Sequence, residues 1–189
     1  MNRRRTLNFM PSPSNHETLK RLLSREVLKE NLCKAALYLI GYEMLTESII
    51  RRPEGFFTMG GAEAQTRYKT KVLSLDRDKL IASCKWFEKS GVLTAEEIEE
   101  IRAIRKHRTD IAHEMPNVIL NADQQVDELK LASMYRLISK IDRWWLMEIE
   151  IPCDEAFDGQ EIDPSDVKSG KMEFFKLLIA SVYGHDSAE

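Results

Sequence analysis

Apolar positions recur at three- and four-residue steps along most of the chain, a period that belongs to amphipathic helices. From about Glu17 to Arg51 the pattern runs through Leu19, Leu22, Leu23, Leu28, Leu32, Ala35, Ala36, Leu39 and Ile40. It predicts one long helix or two in tandem, which Gly41 can bend without ending and which stops at Pro53. A second helix, capped by Asp76 or Asp78, runs through Leu80, Ile81, Cys84, Trp86 and Phe87 to Gly91 as its C′ residue. The link Gly91-Val92-Leu93 is short, so the next helix should pack antiparallel to it. Thr94 opens that helix with a capping box whose N3 residue is Glu97, and it stops near Glu114 because Pro116 cannot continue it. A fourth helix begins at Asn121 or Asp123 and reaches Met147 or Glu150. Its apolar positions, Leu131 through Trp145, cover more than half its circumference, as expected of a central helix or one packed on a second subunit. A last helix spans Met172 to Tyr183. No stretch shows sustained strand alternation. The predicted fold is all-α, a helical bundle of about five helices.

The segments between carry less pattern. Met1 to Asn15 holds Arg3, Arg4, Arg5, Pro11 and Pro13 without periodicity and reads as a mobile basic tail. Residues 16–189 read as a single domain. Arg51 to Leu75 reads as a long loop anchored to the core by Phe56 and Phe57, with room for a short helix from about Ala62 to Thr70. Its Gly60-Gly61 pair lacks the surroundings of a phosphate loop. Pro152 to Gly170 is an exposed acidic loop, including Asp154, Glu155, Asp158, Glu161, Asp163 and Asp166, without the spacing of a calcium loop.

Composition narrows the partners. A chain of 189 residues suits one domain with a sizeable core. The formal net charge of −3 argues against a surface that coats nucleic acid non-specifically, though not against a local basic site. Cys33, Cys84 and Cys153 are odd in number and lack any C-x-x-C. They read as reduced thiols of a cytoplasmic protein, with no disulfide framework and no zinc site. The longest uncharged apolar run, Ala35 to Tyr42, is far too short for a membrane span, and Met-Asn-Arg-Arg-Arg at the start has no h-region of a secretory signal.

The chemistry concentrates in Ile101 to Pro116, which carries four arginines and lysines and two histidines. At roughly 100° per residue, Ile101, Ile104, Ala112 and Met115 project within about 40° of Arg108, and Ile111 within about 60°. A guanidinium amid an apolar face needs a partner or faces a functional cavity. Glu43, beside the apolar positions of the first helix, is the first candidate carboxylate. Five residues beyond Arg108 stands His113, an imidazole of the kind that carries protons near neutrality. Acidic residues crowd the first turns of this helix and basic ones its end, which suits the helix dipole and accounts for part of the basic character.

Arg105 to His113, R-K-H-R-T-D-I-A-H, resembles the signature of the HEPN superfamily, R-x4-6-H with a polar residue commonly after the arginine. Arg108 and His113 match it at x4. An earlier long helix containing Tyr42-Glu43-Met44-Leu45, then a helix pair, then the motif near a helix C-terminus also resemble that family, over roughly Asn31 to Trp145. The resemblance implies a small, often dimeric helical bundle. In the family's ribonucleases it implies cleavage of RNA through the 2′-hydroxyl without metal or cofactor, with two motifs facing each other across a homodimer. Thr109 stands where the family usually has Asn, Asp or His. Met115 stands where the toxin branch has a modified Tyr, so that form of regulation is not carried over.

On an ideal helix Arg108 and His113 point about 140° apart, so they converge only if the helix frays before Pro116 or if each works with a second subunit's copy. Asp110 either orients the His113 ring or is a solvated acid. Arg102, Arg105 and Thr109 share the His113 flank and would extend a phosphate-binding strip, or are ordinary surface residues. Trp86, Trp144 and Trp145 read as core or dimer contacts. His16 and His185 lie near the termini and carry no expectation. Two functions follow: an HEPN-like endoribonuclease, or a non-catalytic HEPN-like dimer that binds RNA or a protein partner. A helical regulator of transcription has less support, because no helix-turn-helix with a basic recognition helix is visible.

Overall fold

Local capping chemistry sets where the helices begin. A computed structural model of the protein describes residues 24–59, 62–120, 126–164 and 166–184. Ser24 accepts a hydrogen bond from the Val27 N–H and opens α1, Arg25–Thr46. A π-helical turn, Glu47–Arg51, carries the chain into α2, Arg52–Thr58, and α3 follows at Ala62–Lys71. Asp78 accepts from the Leu80 and Ile81 N–H groups and starts α4, Lys79–Lys89. Thr94 and Glu97 form the reciprocal capping box of α5, Ala95–His113. Then come α6, Met115–Leu120, α7, Glu128–Trp145, and α8, Gly170–Tyr183.

Four expectations are corrected, the first being the number of helices: the described residues hold eight α-helices where about five were expected. Pro53 does not end the first helical run; the π-helical turn leads straight into α2, and Pro53 sits in its opening turn, where the fixed φ of proline suits a helix. The stretch from Arg51 to Leu75 is mostly helical, since α2 and α3 fill it. The fourth long helix begins at Glu128 with Asp127 as its cap, Asp127 accepting from the Lys130 N–H at 3.1 Å. Asn121 and Asp123 lie outside the described residues, as do the basic tail, the Gly60-Gly61 pair, His16 and His185. The chain past Pro116 is also helical, in the short α6. Among the described residues there is no strand, and no helix is long and apolar enough to cross a membrane.

The core lies where α1, α4, α5, α7 and α8 meet. Tyr38, Leu45, Ile49, Phe87, Ile101, Ile104, Met134, Leu137 and Phe175 are all fully buried. α1 runs unbroken through Gly41, and the ring of Phe175 on α8 occupies the space a side chain would need there: a Cβ would lie 2.7 Å from Phe175 Cζ. Phe56 and Phe57 do anchor their segment, edge-on to Trp145 and Trp86 at 6.0 and 5.6 Å. Trp86, Trp144 and Phe87 stack edge to face in the same cluster.

One polar group is sealed into this core. Asp142 of α7 has no solvent exposure. Its carboxylate accepts from Ser48 Oγ at 3.0 Å and Ser169 Oγ at 2.7 Å, which ties the π turn after α1 to the residue before α8. Arg52 Nη1 lies 3.1 Å from the same carboxylate, near enough for charge pairing but off the hydrogen-bond direction. Removing one member of such a buried pair leaves the other charge uncompensated. Asp142→Ala should therefore cost about 3–5 kcal/mol, and Asp142→Asn less, as read from urea unfolding midpoints. A cost below about 1 kcal/mol, the range of exposed pairs, would show that Asp142 is not structural.

Candidate functional site

α1 and α5 meet along a seam set by residues one helical turn apart on each. Tyr38 is buried and its hydroxyl donates to the Ile104 carbonyl at 3.2 Å. One turn further along, the Tyr42 ring underlies Arg108, whose guanidinium carbon is 5.5 Å from the ring centroid, a cation–π arrangement. Burial raises the pKa of both phenols, so each stays protonated across the physiological range.

Arg108 reaches the surface at the end of that seam. Its side chain is 37% exposed, and Nη2 lies 3.3 Å from Glu43 Oε1. The carboxylate expected for an inward arginine is thus Glu43, but the pair sits at the mouth of the seam and not in the core. Arg108 Nε is buried and has no hydrogen-bond partner. The guanidinium is therefore held in place, with Nε shut off from any ligand and only its outer end exposed.

His113 is the last residue of α5 and is exposed. No hydrogen bond or ion pair joins it to Arg108 or to Asp110 among the described residues. The helix does not fray before Pro116: Glu114 N–H still donates to the Asp110 carbonyl at 2.9 Å. The structure does not bring Arg108 and His113 together within one chain.

The flanking strip is largely engaged. Arg102 Nε pairs with Glu99 at 3.1 Å, and Arg105 forms a short ion pair with Asp78. Thr109 turns its hydroxyl back to the Arg105 carbonyl at 3.0 Å. Beyond Glu43 opens a cleft of about 650 Å³ lined by Glu43, Glu47, Glu54 and Lys79, with Lys79 paired to Glu54 at 2.8 Å. Each of these carboxylates has a cation beside it, Arg108 at Glu43, Lys171 at Glu47 (3.5 Å) and Lys79 at Glu54, and Arg51 also lines the cleft. Among the described residues, no group of three or more His, Cys, Asp or Glu is arranged to hold a metal ion.

A residue without an expected role stands beside the site. His107 packs edge-on against Tyr38, ring centroids 4.9 Å apart, and its Nε2 accepts the Asp127 N–H at 3.0 Å. It pins the start of α7 to α5. Its one sequence signal is the helical step from Ile104 to Ile111, both buried, which does not set it apart from the other basic residues of the helix.

In comparisons with known proteins, the chain matches no family model, no curated protein and no solved structure.

Burial, and then the charge of Lys130, lowers the His107 pKa from its ordinary value, against the smaller opposing pull of Asp127 and Asp110. The neutral ring is also the form able to accept from Asp127. The unfolded chain therefore binds the proton more readily, so the contact's stabilisation is complete above about pH 6.5 and is lost as pH falls below it. The urea midpoint of wild type should drop more between pH 7 and pH 5.5 than that of His107→Gln, which keeps an acceptor without titrating. Equal drops would exclude His107 as the cause.

Proposed function

We propose that the protein is an HEPN-like endoribonuclease that cleaves RNA through the 2′-hydroxyl without a metal, at a composite site formed by two copies of the chain. The observation that carries this reading is Arg108: a guanidinium held by Tyr42 and Glu43 with its outer end at the surface, in the sequence setting of the R-x4-6-H motif. Guanidinium is suited to gripping a phosphodiester and stabilising its developing charge.

In the proposed reaction a histidine takes the 2′-hydroxyl proton while the 2′-oxygen attacks phosphorus. The bond from phosphorus to the 5′-oxygen breaks, and that oxygen receives a proton from a histidine acting as acid. The products are a 2′,3′-cyclic phosphate and a 5′-hydroxyl. His113 is the assigned proton carrier. The separation of His113 from Arg108 within one chain supports pairing each with the other copy's partner. So does an exposed apolar stripe on α1: Leu32, Ala36 and Ile40 are exposed, Leu39 is half-buried beside them, and the same face ends at Glu43.

A second reading is a non-catalytic HEPN-like dimer that binds RNA or a protein partner. The carboxylates around Glu43, together with Arg102 and Arg105 already paired to acids, favour it.

RNA cleavage in EDTA separates the two. Wild type should cleave, and Arg108→Ala and His113→Ala should each lose about 100-fold or more while remaining folded. Equal activity in all three would sink the enzyme reading. Ile40→Glu, which places a charge on the α1 stripe, should shift the protein toward monomer in sedimentation and abolish cleavage with it. A fully active monomer would rule out the composite site.

A further inference from the structure

The cleft beside Arg108 follows the end of α1 and the turn after it, from Glu43 through Glu47 and Arg51 to Glu54, with Lys79 of α4 also lining it. Its carboxylates are all paired: Glu43 with Arg108, Glu47 with Lys171 and Glu54 with Lys79. Arg51 is exposed and has no acid partner among the described residues. The unpaired charge of the cleft is therefore positive, and it stands at the end away from Arg108.

The π turn, Glu47–Arg51, sets that position. Hydrogen bonds reaching from i to i+5 wind the chain less per residue than an α-helix does. Arg51 thereby stays on the side of Glu43 and Glu47, and all three line the same cleft. From Glu43 to Arg51 the helical rise is about 12 Å, the span of about three stacked nucleotides.

Beyond Arg51 the surroundings change character. Arg51 also borders a cavity of about 420 Å³ whose walls include Phe56, Met59, Trp145 and Ile149. Phe56 is 41% exposed, and edge contacts to Phe57 at 5.3 Å and Trp145 at 6.0 Å fix its ring. Glu150 lines this cavity too, without a cation partner among the described residues, but it does not line the cleft.

We infer that the RNA strand whose scissile phosphate Arg108 holds continues along this cleft, with a further phosphate on Arg51 and a base beyond it on Phe56. The inference rests on the proposed placement of RNA at Arg108. A free cation followed by an exposed, fixed aromatic ring is the combination that holds single-stranded nucleic acid, the charge tracking the backbone and the ring taking a base face. A small inorganic anion would use Arg51 alone and leave the aromatic cavity empty. The base, being uncharged, is not repelled by Glu150. No aromatic residue lines the cleft itself, so its contacts go to the backbone and carry no sequence preference.

The test compares cleavage of dodecauridylate in EDTA with that of the dinucleotide uridylyl-uridine, whose single phosphate is the scissile one. Arg51→Ala should raise KM for dodecauridylate about fivefold with kcat unchanged, and leave kcat/KM for the dinucleotide at the wild-type value. Binding of 2′-O-methyl dodecauridylate, which cannot be cleaved, should lose about 0.7 from its salt slope. Arg51→Lys should restore both. Phe56→Leu, which keeps an apolar contact to Trp145, should raise KM for dodecauridylate about threefold without changing the salt slope. Arg143→Ala, which removes the same charge from α7, should match wild type. With a cleaving wild type, an unchanged KM in Arg51→Ala or Phe56→Leu, or an equal loss on the dinucleotide, would overturn this inference alone. If wild type binds RNA without cleaving it, the enzyme reading falls and the salt slopes still decide, equal slopes overturning the path through Arg51. Wild type that neither binds nor cleaves RNA removes the proposed function and this inference together.

Discussion

The register of α1 against α5 is fixed by two tyrosines one turn apart. Tyr38 locks onto the Ile104 carbonyl and the His107 ring, and Tyr42 supports Arg108. Slipping either helix by a turn would place Arg108 over Tyr38, inside the core, and strand its charge. The same contacts that hold the bundle together thus set how far Arg108 projects. Because Tyr38 is wholly buried and Tyr42 nearly so, this geometry belongs to the core, and Arg108 inherits its rigidity.

Polar groups elsewhere in the bundle divide into two clusters with different work. Asp142 gathers Ser48, Ser169 and Arg52 and so ties α7 to the segments flanking α1 and α8. Glu97 closes the capping box of α5 and also takes Lys140 and Arg136 of α7, and these partners hold its carboxyl below the usual pKa against the cost of burial. Both clusters anchor α7. Neither touches the Arg108 seam.

The periodic segments were legible because burial of one helical face leaves a strong signal: the capping box at Thr94, the Asp78 cap and the turn at Gly91, with φ +74°, all stand where pattern puts them. The pairing of Arg108 with Glu43 was also legible, since only a few carboxylates lay beside apolar positions. What pattern could not show was tertiary. Pro53 starts a helix because the preceding π turn delivers it there. Arg108 is half-exposed because its place at the edge of the α1 contact, and not its helical phase alone, decides its depth. His107 looked interchangeable with the other basic residues until Asp127 arrived from α7.

Glu43 holds the balance of the candidate site. While it pairs with Arg108, the guanidinium is oriented but partly neutralised, and along the adjoining cleft Glu47 and Glu54 are themselves paired, with Lys171 and Lys79. A phosphate arriving from the open side meets an arginine whose Nη2 must loosen a 3.3 Å contact. That contact is long for a charged pair and partly exposed, so exchanging it for a phosphate with two negative oxygens costs little. His113 ends α5, the helix that carries Arg108, and is exposed, so in the proposed composite site it is a second copy that would bring proton carrier and phosphate together.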